Sequence, residues 1–555
     1  MSNKIFKLYK YVLSNKKQIK SAFQSAPNHV LAMFPATVLM PLLVNKQFDE
    51  NIFDISTVLF FVGIGTIFFV LASGLPAVLS SSFAFIGMSV YILNTVSNSH
   101  QQIITPQELF SYLTGAYLMS GVILLIIFVL FKRYKEACHN AIDKFLPPAV
   151  MGPAISLIGL GLIGQTASQA GLTNIQNDTS SMVIFLVTFF FIVVFAVSRY
   201  TLIRNTFVLS GVAIGLIVSH HYGLINWSAV NAGPTIAAPN FWPISSTSFH
   251  MPSFDLWLLW VIVPATLVLF CEHFIRVKDI EDLRDELGES SNKNNSAFPR
   301  SLLANAIPIM ASGFVGSVPT TIYAENIALS RIKKQLNWQK CSIVIAAVIC
   351  IILSTFRRGQ SFLDNLPDPV MGGLSLVLLG IIAAPGIKYI VDRKVNYKRT
   401  TNLLLTSTVL VAGISGITIP IVEISGMGLG IIAGIILNLI FIFMNSIGLI
   451  NENLSKDEIV ELCRELCPGA DEPIWEKSGK VVFAVNGQSF LTLMKNNDNL
   501  LMKVICCPNN EILYQRNRST VDSCGQIHSI SDVEDMPIKD LKKIIKNAYN
   551  HKLEL

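Results

Sequence analysis

Charge is what this chain has little of. Only 14% of its 555 residues are Asp, Glu, Lys or Arg, and 52% are hydrophobic. Soluble domains run near a quarter charged. A chain this apolar and this long is a polytopic membrane protein unless its apolar residues alternate with polar ones. Alternation is lacking too. Runs such as "GVILLIIFVLF" (Gly121–Phe131) and "FLVTFFFIVVFAVS" (Phe185–Ser198) are apolar on every face, as segments in hydrocarbon must be. Nine cysteines are present without one Cys-x-x-Cys pair, which argues against zinc held by Cys463, Cys467 and the Cys506–Cys507 pair. There is no phosphate-binding loop, no metal-spaced His/Glu pair and no nucleophile motif. The reading is therefore not an enzyme, with no cofactor and no metal. The basic, polar stretch 1–20 predicts a cytoplasmic arm rather than a cleaved leader.

What is present is a series of fourteen hydrophobic segments, centred near residues 36, 64, 85, 120, 155, 190, 211, 263, 307, 324, 348, 375, 409 and 435. Lys and Arg sort themselves along this count. One side carries Lys4 to Lys20, Lys132, Arg133, Lys135, Lys144, Arg199, Arg204, Arg331, Lys333, Lys388, Arg393 and Arg399. The other side has only Lys46, Arg357 and Arg358, and the stretch His220–Asp255 has neither Lys nor Arg. Positive loops stay in the cytoplasm, so both termini are expected there, with the protein multi-pass in the plasma membrane.

Two landmarks recur seven segments apart. "PPAVMG" at Pro147–Gly152 returns as "PDPVMG" at Pro367–Gly372. The polar-interrupted segments "LPAVLSSSFAFIG" and "SVPTTIYAENIA" stand in the same relation. Seven is odd, so a duplicated unit enters the membrane from opposite sides, the inverted-repeat layout that places a binding site between discontinuous segments at mid-membrane. The fold class expected is all-α polytopic: fourteen spans in two inverted seven-span repeats, plus a small α+β C-terminal domain. Ser80, Ser81, Ser82, Thr320 and Thr321 form helix poorly, and the aromatics beside them favour extended backbone. Short strands are predicted in spans 3 and 10.

Ionisable residues inside spans are functional candidates. They are Glu325 in span 10, and Glu272, His273 and Arg276 in "CEHFIR" of span 8. Glu272 and Arg276 are one turn apart and can pair. Two carboxylates suit a ligand with N–H donors, and strand amides suit one with carbonyls. A flat lactam or imide ring has both, and Phe83 and Tyr323 could stack on it. A buried carboxylate can also carry a proton across.

The motifs "NHVLAMFPATVLMPLL", "SSSFAFIG", "CEH", "PTTIYAENI" and "PDPVMGGLSLVLLGIIAAPGIK" resemble the nucleobase:cation symporter / nucleobase–ascorbate transporter family, and within it the uracil permeases. The resemblance runs from about Gln24 to Ile447. It implies a core domain (about 25–145 and 254–358) and a gate domain (about 146–253 and 359–450) after an arm at 1–24. It implies proton-coupled import of a nucleobase, uracil first, by a protein that often forms a homodimer. A purine such as xanthine is the alternative substrate; an anion exchanger or a receptor of the same fold is the alternative class, and the acidic pocket speaks against the exchanger. By that likeness Glu272 and Glu325 accept from ring N–H groups, Phe83 and Ala324 offer backbone N–H, and Tyr323, Ala36 and Ser375 line the pocket. Glu272, His273, Arg276 and Glu325 are the proton-coupling candidates. The chain departs from the pattern at Ala324, where Gly is usual, and at Arg276, where uracil permeases carry a second His.

After Asn451 the balance changes. Residues 451–555 hold 13 Lys and Arg against 16 Asp and Glu, whereas the first 450 hold 29 and 20. "KVVFAV", "SFLTLM" and "LLMKVI" predict three strands, and "KDEIVELCREL" and "PIKDLKKIIKNAYNHKL" predict flanking helices. The tail at 455–555 resembles the MmcQ/YjbR-like domain. Its acidity argues against nucleic acid as a partner.

Overall fold

A computed structural model describes residues 16–447, apart from 49–51, 100–105, 165–178, 232, 242–250, 287–296, 331–335, 416 and 420–423. Beyond 447 it describes residues 463–464 and six strands. The chain falls into two units, residues 1–438 and 439–555.

The first unit is helical and follows the fourteen predicted segments. Helix α1 (Lys16–Phe48) is interrupted by Pro27, Pro35 and Pro41. Helix α2 (Ile55–Ser73) starts at Asp54, whose carboxylate accepts from the Thr57 N–H, and ends at Gly74 in the left-handed region with φ 77°. The third segment is not a plain helix. It is a strand β1 (Leu79–Ser81), a 3₁₀ turn (Phe83–Phe85) and helix α3 (Ile86–Ser99). Helix α4 (Pro106–Arg133) completes the first four segments. A surface helix α5 (Lys135–Phe145) leads to α6 (Pro148–Leu160), α7 (Thr179–Ala196), the short α8 (Thr201–Asn205) and α9 (Phe207–His221).

The second repeat follows after a short helix α10 (Trp227–Asn231). Helix α11 (Leu258–Glu286) is followed by α12 (Phe298–Val315), which ends at Gly316, again with φ 77°. Then come strand β2 (Thr320–Ile322) and helix α13 (Ala324–Ser330). Gly74 and Gly316 thus play one role in the two repeats. Each ends the helix before a broken segment in a conformation that only Gly adopts at little cost. Helix α14 (Leu336–Leu353) bends by 80° into the short α15 (Arg357–Asp364). Helices α16 (Asp368–Asp392), α17 (Thr400–Ile414) and α18 (Gly426–Ser446) close the series, with the short antiparallel strands β3 (Thr418–Ile419) and β4 (Ile424–Ser425) between the last two. Pro147 and Pro367 stand just before α6 and α16, where a missing N–H is harmless.

Seven of these helices are each long and apolar enough to cross a membrane, and the bent pair α14 and α15 makes up to eight. Four more are apolar but shorter: Phe83–Thr95, α6, α9 and α17. Of these, Phe83–Thr95 is the helical half of the third, interrupted segment.

β1 and β2 pair antiparallel, with Leu79 opposite Ile322, Ser80 opposite Thr321 and Ser81 opposite Thr320. All six residues are buried. Two three-residue strands cannot satisfy their own backbone, and irregular backbone survives at membrane depth only inside protein. The neighbours supply the partners. Thr66 Oγ1 on α2 accepts from the Leu79 N–H at 3.0 Å, and Ser82 N–H donates to the Pro319 carbonyl at 2.8 Å. Ser81 Oγ donates to the Thr37 carbonyl at 2.7 Å, and Thr37 Oγ1 lies 2.6 Å from Ser80 Oγ.

Around this crossing, α12 packs along α4, α14 along α1 and α2, and α16 along α6 and α7. Small residues let these helices approach. A Cβ added at Gly386 would fall onto the Gly152 carbonyl, so α6 and α16 touch backbone to backbone. Close approach of small residues is what drives helix association in lipid.

In the second unit, β5 (Ile474–Trp475), β6 (Val481–Val485), β7 (Gln488–Asn496), β8 (Asn499–Ile505), β9 (Ser519–Val521) and β10 (Ile527–Ile530) form one antiparallel sheet, in order β5-β6-β7-β8-β10-β9. The three predicted strands are β6, β7 and β8. The predicted helix at 537–553 lies outside the described residues, as does the one at 456–466 except Cys463 and Arg464.

Candidate functional site

The strand crossing brings distant residues onto one small cavity. It is lined by Phe83 from the 3₁₀ turn, Glu272 and Arg276 from α11, Thr321 and Ile322 from β2, and Tyr323, Ala324 and Glu325 at the start of α13. Ile158 of α6 and Ile381 and Ile382 of α16 close the opposite wall. Its volume is about 20 Å³. It adjoins a wider cavity of about 380 Å³, which shares Tyr323, Glu325, Ile381 and Ile382 and is further lined by Asn28, Ala36, Arg204, Phe207 and Leu378.

Helix periodicity explains which residues of span 8 face inward. Glu272 and Arg276 are four apart and share a face. Arg276 Nη2 lies 3.7 Å from Glu272 Oε1, with both side chains at least nine-tenths buried. The other carboxylate oxygen, Oε2, accepts from Thr321 Oγ1 at 3.1 Å. His273 is rotated about 100° away. It sits 3.0 Å from Ser301 Oγ through Nε2 and packs on the Phe298 ring at 5.9 Å. It is not among the residues lining either cavity.

Glu325 stands in the first turn of α13 and lines both cavities. Its neighbour Asn326 ties α13 to α1, donating through Nδ2 to the His29 carbonyl at 3.0 Å and lying 3.2 Å from His29 Nδ1. Tyr323 N–H donates to the Val78 carbonyl at 3.1 Å, which fixes the backbone just before Ala324. Ala36 is buried and lines the wider cavity. Ser375 on α16 is fully buried but lines neither cavity; Leu378, one turn on, does.

Seven of the sequence candidates therefore meet around one space: Glu272, Glu325, Arg276, Phe83, Ala324, Tyr323 and Ala36. Sequence reasoning missed Thr321 as the partner of Glu272, His29 as the partner of Asn326, and the wall of Ile158, Ile381 and Ile382. The only signal for that wall was its place about three to four turns into the two Pro-x-x-Val-Met-Gly helices. Several polar atoms near the crossing are buried without a partner among the described residues: Arg276 Nε, Tyr323 Oη and Ser82 Oγ. Buried polar groups are nearly always hydrogen-bonded, so such a cluster marks a place where a ligand can complete the set. No group of three or more His, Cys, Asp or Glu side chains is placed to hold a metal among the described residues.

Polar contacts gather near Lys46. Asn28 and Lys46 are on the same helix, eighteen residues and so about 27 Å apart. There Lys46 Nζ meets Asp368 at 2.9 Å and Arg357 Nη1 meets Asp54 at 2.5 Å. The Asn240 N–H donates to Asp54 Oδ2 at 3.0 Å, and Thr57 Oγ1 donates to the Asn240 carbonyl at 2.8 Å. Asp364, half-buried, lies beside this cluster.

The chain is similar to known proteins in both sequence and fold. The chain is 32% identical over 429 residues to the uracil permease of Escherichia coli K12, covering 74% of this chain and 89% of that one. It is 30% identical over 443 residues to the uracil permease of Paenibacillus larvae, covering 77% and 96%. Among solved structures, the transmembrane domain of the cyanobacterial bicarbonate transporter BicA superposes with a TM-score of 0.51 over 76% of this chain and 98% of that one, at 12% identity. SLC26A9 superposes with a TM-score of 0.54 over 78% and 68%, also at 12% identity. These two share the inverted-repeat fold and are too distant in sequence to speak for a substrate. Residues 20–422 match the xanthine/uracil permease family ("Permease family"), and the chain belongs to it.

Proposed function

We propose that the protein is a secondary active transporter that imports a nucleobase, uracil first, together with a proton. One observation carries this reading. Two carboxylates, Glu272 and Glu325, converge on a cavity where two short strands cross inside the membrane-spanning unit. A planar imide ring has two N–H groups for those carboxylates. It also has two carbonyls for the backbone N–H groups of Phe83 and Ala324, which head their helical turns and so lack intrahelical acceptors. The Phe83 and Tyr323 rings and the isoleucine wall supply apolar faces for the ring. The named relatives, uracil permeases, point to the same substrate.

Transport then follows from how the site is divided. Glu272, Arg276, Thr321, Ala324 and Glu325 belong to the proposed core. Ile158, Ile381 and Ile382 belong to the proposed gate. Sliding core against gate exposes the site to one side at a time, as in other inverted-repeat transporters. The wider cavity ends at Arg204, on the positively charged side expected in the cytoplasm, and the opposite end is closed by the Asp54 and Asp368 contacts. The conformation is inward-facing under this reading. Glu272 or Glu325 carries the proton, bound with the base on the outside and released inside.

The test is uptake of radiolabelled uracil by cells expressing the full chain, with unlabelled bases competing, at two external pH values. Uracil uptake that is faster at the lower pH and competed by uracil is the expected result. Glu325→Gln should abolish binding. Normal uracil import by that variant would mean the site is elsewhere.

A further inference from the structure

Resting on the nucleobase reading, we infer that Arg276 is a specificity-determining residue and selects rings that carry a third hydrogen-bond acceptor on their rim. The argument is a count of donors and acceptors. Uracil brings two N–H groups and two carbonyls. The carboxylates of Glu272 and Glu325 and the backbone N–H groups of Phe83 and Ala324 give each of these groups one partner. Arg276 is not among them. Its side chain is about nine-tenths buried and lines the same small cavity, yet its Nε has no partner among the described residues. Its contact with Glu272 is 3.7 Å, beyond hydrogen-bond length, and Glu272 spends its other oxygen on Thr321.

An arginine cannot lose its proton to escape this situation. A buried donor left without an acceptor is costly, and here that donor is Nε, since Nη2 faces Glu272. Ile158, Ile381 and Ile382, which line the same cavity, offer it no acceptor. Tyr323 Oη, on the same cavity, is also buried without a partner among the described residues. The ligand that satisfies such a wall presents one more lone pair, a ring nitrogen or an added oxygen, at the edge toward α11. It need not be an anion; with two carboxylates and one guanidinium, the site favours a neutral ring. A site built around a hydrogen bond rejects the analogue that lacks it more sharply than an apolar pocket rejects a change of size.

The test uses 5-azauracil and 6-azauracil, rings of uracil's size in which one C–H becomes an acceptor nitrogen. Each competes against radiolabelled uracil for the full-length purified protein. At least one aza ring should compete about tenfold more strongly than uracil itself, the size of one charge-assisted hydrogen bond. In Arg276→Met the ratio of aza-ring to uracil affinity should fall by about tenfold, whatever happens to both affinities together. In Arg276→Lys part of the preference should return. Equal competition by all three rings in the wild type overturns the inference. So does an unchanged ratio in Arg276→Met, which would leave Arg276 as a structural partner of Glu272 only. Should Arg276→Met fail to fold, the wild-type ranking decides alone. If no ring competes at all, the nucleobase reading itself fails.

Discussion

Thr321→Val tests whether the strand crossing aims the carboxylate or merely lies beside it. Valine keeps the shape of threonine and its liking for extended backbone, so β2 should survive. What is lost is one hydrogen bond, Thr321 Oγ1 to Glu272 Oε2 at 3.1 Å, between two buried side chains. Bonds of this kind to a charged group are worth about 1.5–3 kcal/mol. Freed from Thr321, the carboxylate can swing to Arg276, 3.7 Å away, and close into a tighter ion pair. A base must then pull it back before binding. The loss should appear as a rise in Kd of about tenfold to a hundredfold. Equilibrium binding of radiolabelled uracil to the purified protein measures it. A double-mutant cycle with Glu272→Gln should show coupling of more than about 1 kcal/mol. If Thr321→Val binds uracil within about twofold of the wild type, and the cycle is additive, the strand does not orient Glu272.

Two further outcomes are expected. Gly386→Ala places a methyl against the Gly152 carbonyl and the Ser156 backbone; separating two helices that touch through backbone should cost about 1–3 kcal/mol, seen as a lowered Tm in detergent. Arg357→Ala removes the ion pair with the buried Asp54 carboxylate, whereas Lys46→Ala removes one whose Asp368 partner is exposed; the first should lower the Tm in detergent by more than the second. Equal losses in the two variants would refute the assignment.

Much of this fold was legible because the bilayer imposes one-dimensional rules. A segment in hydrocarbon must be apolar for about twenty residues, so runs such as Phe185–Ser198 declare themselves. The strands could be expected because hydroxyl-rich, proline-marked sequence is out of place in a continuous span, and both came where the two interrupted segments stand. Glu272 and Glu325 stood out because charge at membrane depth is rare.

The apolar half of the site was hidden for the same physical reason. In a membrane protein the residues facing lipid and those facing a cavity are equally apolar, so nothing marks Ile158, Ile381 and Ile382 apart from lipid-facing neighbours such as Ile387, which is 56% exposed. Pairings across long separations were equally silent: Thr321 with Glu272 is 49 residues apart, and Asn326 with His29 is 297.

The sequence by itself determined that this is a polytopic membrane protein with a duplicated, inverted unit and acidic residues in its interior, since each of these follows from local composition and spacing. Only the tertiary structure decided that Arg276, rather than His273, faces the cavity, that Thr321 holds Glu272, and which isoleucines form the opposite wall. Those outcomes depend on how helix α11 is rotated and what packs against it, and rotation is set by contacts between segments that no single segment contains.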